Sequence, residues 1–306
     1  MKADSILETI GSTPLVRLSK KINPTGAVIW AKVESFNPGG SAKDRVAVAM
    51  LDDAEKTGRL TPGGTVIEPT SGNTGVGLAL ACAVRGYRMI LVMPDTMSVE
   101  RIRLAKAYGA EVVLTPGAAG MKGSIAKAEE LKSSIPGSMI AGQFENPANA
   151  AAHERSTGPE IWADLGGEIA ALVAGVGTGG TLTGAGRFLK AKCPAVKLIA
   201  VEPDESPLLT EGRSGPHRLQ GIGANFVPEV LDRSLIDEVI AVSAEAAGDC
   251  ARRLGAEEGI LCGISSGAAL AAALTVASRK EYAGKNIVVI LPDTGERYLS
   301  TWLFEN

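Results

Sequence analysis

With 306 residues, 45% of them hydrophobic and 21% charged, the chain is long enough for two domains with substantial cores and has the composition of a soluble globular protein. A net charge of −3, with acidic and basic residues interspersed, gives a nucleic-acid partner no electrostatic support. Met1-Lys2-Ala3-Asp4-Ser5 has no apolar signal region and no apolar run reaches membrane-spanning length, so a cytoplasmic protein with no membrane partner is expected.

In chain order, residues 13–18 and 28–34 read as strands. Pro38-Gly39-Gly40-Ser41-Ala42-Lys43-Asp44-Arg45 then leads into a helix with Val46, Ala49, Met50 and Ala54 at helical spacing, closed by Gly58. A strand at 65–68 runs into Thr70-Ser71-Gly72-Asn73-Thr74-Gly75 and a helix that Gly86 ends. Strand 88–93, a helix from a Ser98 cap to Ala107, strand 111–114 and a helix over 123–133 follow. A helix over 150–165 precedes strand 170–174, the glycine loop Gly175-Val176-Gly177-Thr178-Gly179-Gly180-Thr181, a helix to Lys192 and strand 197–201. After a Gly/Pro/Ser-rich stretch at 206–230 come strand 238–242, helix 244–257, the turn Cys262-Gly263-Ile264-Ser265-Ser266-Gly267, helix 268–277 and strand 287–291. The alternation, echoed at 65–95 and 170–204, predicts an α/β fold: two doubly wound, three-layer domains with mostly parallel central sheets.

Four cysteines without paired spacing and only two histidines, His153 and His217, argue against a zinc site and against a histidine-dependent triad. The chemistry is left to the loops. Lys43 lies in the first turn of its helix, where the helix dipole disfavours the ammonium form and so favours an amine nucleophile; a solvated surface lysine is the commoner outcome for a lysine taken alone. Residues 177–181 stand between a strand and a helix, where backbone N–H groups and the Thr178 and Thr181 hydroxyls suit an anion such as a phosphate monoester. The same stretch is a literal G-x-G-x-x-G with Glu202 ending the next strand, so a dinucleotide is an equal reading of it, and a structural tight turn a third. Thr70–Thr74 is dense in small donors suited to a carboxylate, Asn73 offers an amide to a phenolate oxygen, and Ser265 offers a hydroxyl to an aromatic nitrogen or a helix cap. A dehydrogenase would leave Lys43 and 70–74 without roles.

Ser41–Arg45, Thr70–Gly75, Gly177–Thr181 and Gly263–Gly267, with Gln143-Phe144-Glu145-Asn146-Pro147-Ala148-Asn149 and Gly295-Glu296-Arg297-Tyr298-Leu299-Ser300, resemble the cysteine synthase (O-acetylserine sulfhydrylase) family over nearly the whole chain. That family belongs to the fold type II, tryptophan synthase β-like, pyridoxal-phosphate enzymes. The one small departure is Ala42, where many members carry valine. The resemblance implies Lys43 as the internal aldimine lysine and α-proton base, and Asn73 as donor to the cofactor ring oxygen. It implies Gly177, Thr178, Gly179, Gly180 and Thr181 as the phosphate cradle, Ser265 at the pyridine nitrogen with adjacent Ser266 the rival, and Thr70, Ser71, Gly72, Thr74 and Gln143 as binders of the substrate carboxylate. The implied reaction is β-replacement of O-acetyl-L-serine by sulfide through an aminoacrylate, giving L-cysteine and acetate. A homodimer is implied, with serine acetyltransferase as a candidate partner. Residues 1–39 with 148–306 would form a large cofactor-binding domain, and 40–147 an inserted mobile domain. Cystathionine β-synthase-like enzymes, serine/threonine dehydratases and, further off, an NAD-dependent oxidoreductase or a catalytically silent binding subunit are the alternatives.

Overall fold

The computed structural model describes residues 2–70, 72–95 and 99–305. Its elements run β1 (Leu15–Arg17), β2 (Val28–Val33), α1 (Lys43–Lys56), β3 (Thr65–Pro69), α2 (Asn73–Arg85), β4 (Arg88–Pro94), α3 (Val99–Ala107), β5 (Glu111–Thr115), α4 (Gly120–Ser134) and β6 (Ser138–Ile140). They continue with α5 (Ala148–Arg155), α6 (Thr157–Asp164), β7 (Ala171–Gly175), α7 (Gly180–Lys192), β8 (Lys197–Pro203), α8 (Leu208–Glu211), β9 (Glu238–Val242), α9 (Ala244–Glu258), α10 (Ile264–Ala277) and β10 (Asn286–Leu291). The α/β class and the mostly parallel sheets match the sequence reading. Three local expectations need correction. The helix expected over 150–165 is two, α5 and α6, broken at Ser156 (φ −130°, ψ −70°). Strand β6 was not foreseen, and α10 begins at Ile264 inside what reads as a turn. The Ser98 cap lies outside the described residues.

The chain divides into two compact units, one formed by the residues through Ile10 with Asn37–Asn149, the other by Gly11–Phe36 with Ala150–Asn306. The sequence reading placed residues 1–10 with the larger unit; they group with the smaller one. No helix among the described residues is long and apolar enough to cross a membrane.

The larger unit carries a six-stranded sheet in the order β1-β2-β10-β7-β8-β9, in which β1 pairs antiparallel with β2 and the other pairings are parallel. Its central strands are near-continuous apolar runs because both faces are covered. Ala171, Val173, Ile199, Val201, Ile287 and Val289 face one core with α9 and α10, while Leu172, Ala174, Leu198, Ala200, Val288 and Ile290 face the other with α6 and α7. Each fully buried leucine or isoleucine there contributes about 1.5–3 kcal/mol.

In the smaller unit the sheet order is β5-β4-β3-β6, all parallel. Ile67, Ile90 and Val92 pack with Ala128 of α4 on one face. The chain moves outward from β3 through α2, β4 and α3 to β5, then returns to lay β6 on the other side of β3. In the larger sheet it likewise moves from β7 to β8 and β9, then returns to lay β10 on the other side of β7. Strand order thus reverses between β3 and β6 and between β7 and β10. In open α/β sheets the carboxyl ends of strands at such reversals leave a crevice where ligands bind.

Candidate active site

The Thr70–Thr74 loop leaves the carboxyl end of β3, and Gln143 follows β6, so the reversal in the smaller sheet brings them together. Gln143 links the two threonines: Thr74 Oγ1 donates to its Oε1 at 2.5 Å, and its Nε2 donates to Thr70 Oγ1 at 3.2 Å. The Gly72 amide also donates to Thr70 Oγ1, at 3.2 Å. Thr70, Thr74 and Gln143 are all buried. Of the five residues expected at the substrate carboxylate, these three and Gly72 form one cluster; Ser71 lies outside the described residues. Asn73 opens α2, with Gly72 as an extended N-cap that provides no side-chain cap.

Lys43 is the first residue of α1 and is half-buried. Ser41 Oγ accepts its amide at 3.2 Å, and the neighbouring Asp44 carboxylate accepts the Gly39 amide at 2.6 Å, so the turn before the helix is tied to the helix start. A Cβ at Gly77 of α2 would stand 2.9 Å from the Lys43 carbonyl oxygen and 3.2 Å from Ala47 Cβ. Glycine at 77 therefore lets the amino ends of α1 and α2 touch. Asn73, one turn before Gly77, shares its face of α2.

In the larger unit, β7 ends at Gly175 beside β10, and α7 begins at Gly180 with Gly179 as its N-cap in the left-handed region (φ +79°). Thr178 Oγ1 accepts the Gly180 amide at 3.3 Å, and Thr181 Oγ1 meets His153 Nε2 at 3.1 Å. The other ring nitrogen of His153 meets Thr157 Oγ1 at 2.9 Å. His153 was missed as a site residue: it lies on α5, and no local spacing joins it to Thr181. A Cβ at Gly177 would be 2.4 Å from the Gly221 carbonyl oxygen, and one at Gly221 would be 3.4 Å from Ser265 Oγ. Gly221 thus lies close to both Gly177 and Ser265. Ser265 is the second residue of α10, whose N-cap is Gly263, so it is not the helix cap. Ser266 beside it is fully buried.

The dinucleotide reading loses its acid here. Glu202 is buried and accepts the amides of Leu209 (2.7 Å) and Thr210 (3.1 Å) and the Thr210 hydroxyl (2.6 Å), so it caps α8 instead of presenting a carboxylate to a ribose. The loop before α7 fits a phosphate monoester instead: backbone amides at a helix start, a close approach that only glycine permits at 177, and hydroxyls at 178 and 181. No group of three or more His, Cys, Asp or Glu among the described residues could hold a metal ion, and burial pushes the Cys82 and Cys262 thiols up to about 12, leaving them unreactive.

Glu68, on β3, was also missed. It is buried at 1% exposure, and its carboxylate accepts the amides of Gly142 at 2.9 Å and Gln143 at 3.4 Å. Burial pushes its carboxyl up to about 7, against the pull of those two amides and with a further push from the Glu145 carboxylate. The folded-state value lies above the ordinary 4.5, so its proton contributes stability that is complete below pH 4.5 and is lost as pH rises through about 7. Compared with Glu68→Gln, which does not titrate, the wild-type protein should lose about 3 kcal/mol of relative stability between about pH 4 and pH 8. Chemical denaturation of both proteins at the two pH values measures this, and a constant difference would refute the raised value.

Comparison with known proteins identifies the family. The family profile described as pyridoxal-phosphate dependent enzyme matches residues 6–293. A cysteine synthase of Staphylococcus aureus (strain Mu50 / ATCC 700699) is 52% identical over 303 residues, covering 98% of this chain and 97% of its own length. Among solved structures, a cysteine synthase (OASS) from Entamoeba histolytica matches with a TM-score of 0.95 and 47% identity, covering 99% of this chain and 91% of that one. An O-ureido-L-serine synthase matches with a TM-score of 0.95 and 48% identity, covering 99% and 96%. The chain belongs to the cysteine synthase family of pyridoxal-phosphate dependent enzymes.

Proposed function

We propose that this protein makes L-cysteine and acetate from O-acetyl-L-serine and sulfide, with pyridoxal 5'-phosphate as its cofactor. The observation that carries the reading is the Thr70–Thr74–Gln143 cluster, a buried set of neutral hydroxyl and amide groups suited to a carboxylate, in the unit that also holds Lys43 at a helix start. The identity to a cysteine synthase supports the same reaction. When bound, the cofactor supplies an electron sink for the substrate's α-carbon. Lys43 would hold the cofactor through its amine and would serve as the base that takes the α-proton and returns it. Departure of the β-acetoxy group as acetate leaves the β-carbon open to sulfide. Gly177, Thr178, Gly179, Gly180 and Thr181 would hold the phosphate, and Asn73 would donate to the ring oxygen. The Ser265 hydroxyl would meet the ring nitrogen; its nearness to Gly221, which in turn lies close to Gly177, supports it over the enclosed Ser266. A neutral serine at that nitrogen makes the ring a weaker sink than a carboxylate would, which favours prompt loss of acetate. Thr70, Ser71, Gly72, Thr74 and Gln143 bind the substrate carboxylate. The family likeness is also the support for a cytoplasmic homodimer and for serine acetyltransferase as a candidate partner.

The test is spectroscopic. O-acetyl-L-serine alone should shift the visible spectrum of the purified holoenzyme, and sulfide should restore it as cysteine appears. A protein that ignores O-acetyl-L-serine but shifts with serine and homocysteine would be a cystathionine-forming enzyme. One that releases pyruvate and ammonia from free serine would be a dehydratase.

A further inference from the structure

A buried glutamate in β3 is out of keeping with its surroundings. Val66 and Ile67 before it are fully buried, and a carboxylate at the same depth costs free energy unless its hydrogen bonds do something useful. Those bonds run across the strand reversal. β6 pairs with β3 through Ile140, the Ala141 amide still donates to the Ile67 carbonyl at 3.1 Å, and the two amides after it, Gly142 and Gln143, both donate to the Glu68 carboxylate. The Gln143 carbonyl is taken from the other side by Asn149 Nδ2 at 2.8 Å. The Gln143 backbone is therefore held at both its N–H and its C=O, while its side chain joins Thr74 and Thr70. Gly142 turns the chain there at φ +71°.

We propose that Glu68 is a positioning residue for substrate binding: by fixing the backbone of Gln143 it sets the Gln143 amide against the Thr70 and Thr74 hydroxyls, so that the three converge on one carboxylate. This rests on the reading of that cluster as the substrate-carboxylate site. Glutamine at 68 keeps the shape of the side chain but has one acceptor oxygen for two amides and brings its own NH2 group against them. The Gln143 turn then relaxes without loss of any group that touches substrate.

The experiment compares holoenzyme variants by spectral titration with O-acetyl-L-serine and by steady-state kinetics. Glu68→Gln should raise both the dissociation constant and KM for O-acetyl-L-serine about tenfold, with kcat within about twofold and the resting spectrum unchanged. Because the effect passes through Gln143, the double variant Glu68→Gln/Gln143→Ala should bind no more weakly than Gln143→Ala alone, within about twofold. Wild-type affinity in Glu68→Gln, or single effects that multiply in the double variant, overturns the inference. If Gln143→Ala itself keeps wild-type affinity, the carboxylate reading falls and the inference with it. If Gln143→Ala binds weakly while Glu68→Gln does not, only the role of Glu68 is lost. Should Glu68→Gln fail to fold, Glu68→Asp, which keeps the charge and withdraws it by one methylene, should weaken binding several-fold; unaltered affinity there is equally decisive against it.

Discussion

Lys43→Ala should lower turnover by a factor of about 10⁴ or more, because one substitution removes both the amine that holds the cofactor and the base that moves the α-proton. The same variant should lose covalent capture: borohydride treatment fixes pyridoxal to the wild-type chain and should not fix it to the variant. The fold should survive. Lys43 is half-buried at the first position of α1, where the helix dipole works against a cation, and alanine is the better helix former. Thermal stability should therefore stay level or rise slightly while activity disappears. Loss of activity accompanied by unfolding would leave α1 as merely structural, and normal turnover in a folded variant would refute the assignment of Lys43.

What the sequence made legible was what is local in it. The Thr70–Thr74 and Gly177–Thr181 loops stand out because glycines and hydroxyls gather where a strand pattern gives way to a helix pattern. Both do sit at such junctions, beside the reversals of strand order. The reversals themselves were not legible: β6 is only three residues long and carries too little pattern to be read as a strand, and β10, though read as one, has no local pattern that says it lies beside β7. The break between α5 and α6 did leave a signal, Ser156-Thr157-Gly158-Pro159, but the stretch reads through as one helix because residues 150–152 and 161–163 supply apolar side chains on either side of it. Glu68 and His153 were invisible as site residues because their partners are distant. Glu68 meets amides 74 and 75 positions away, and His153 meets a hydroxyl 28 positions away, across intervening elements. A glutamate inside an otherwise apolar strand was the one signal available, and it marks a buried charge without saying what the charge holds.

Gly177→Ala should cost about 10²-fold in pyridoxal-phosphate affinity while leaving the protein folded. The reason is steric and specific to the backbone. The alanine Cβ would fall 2.4 Å from the Gly221 carbonyl oxygen, a distance real Cβ atoms do not tolerate, and neither the loop nor Gly221 can answer by rotating a side chain. Gly221 sits at φ +96° close to Ser265 Oγ, so yielding there disturbs the backbone beside the serine proposed to meet the cofactor ring. Yielding on the other side displaces the amides at the start of α7 from the phosphate they hold. Gly255→Ala is the matched comparison: its Cβ on α9 would stand 3.9 Å from Leu261 Cδ1, an ordinary contact, so cofactor affinity should change by no more than a few-fold. Reconstituting the apoprotein of each variant with pyridoxal phosphate and following the bound-cofactor absorbance measures both. Equal affinities for the two variants would mean that the loop at 177–181 does not carry the phosphate, and NAD binding lost in Gly177→Ala with pyridoxal-phosphate affinity intact would return the loop to a dinucleotide.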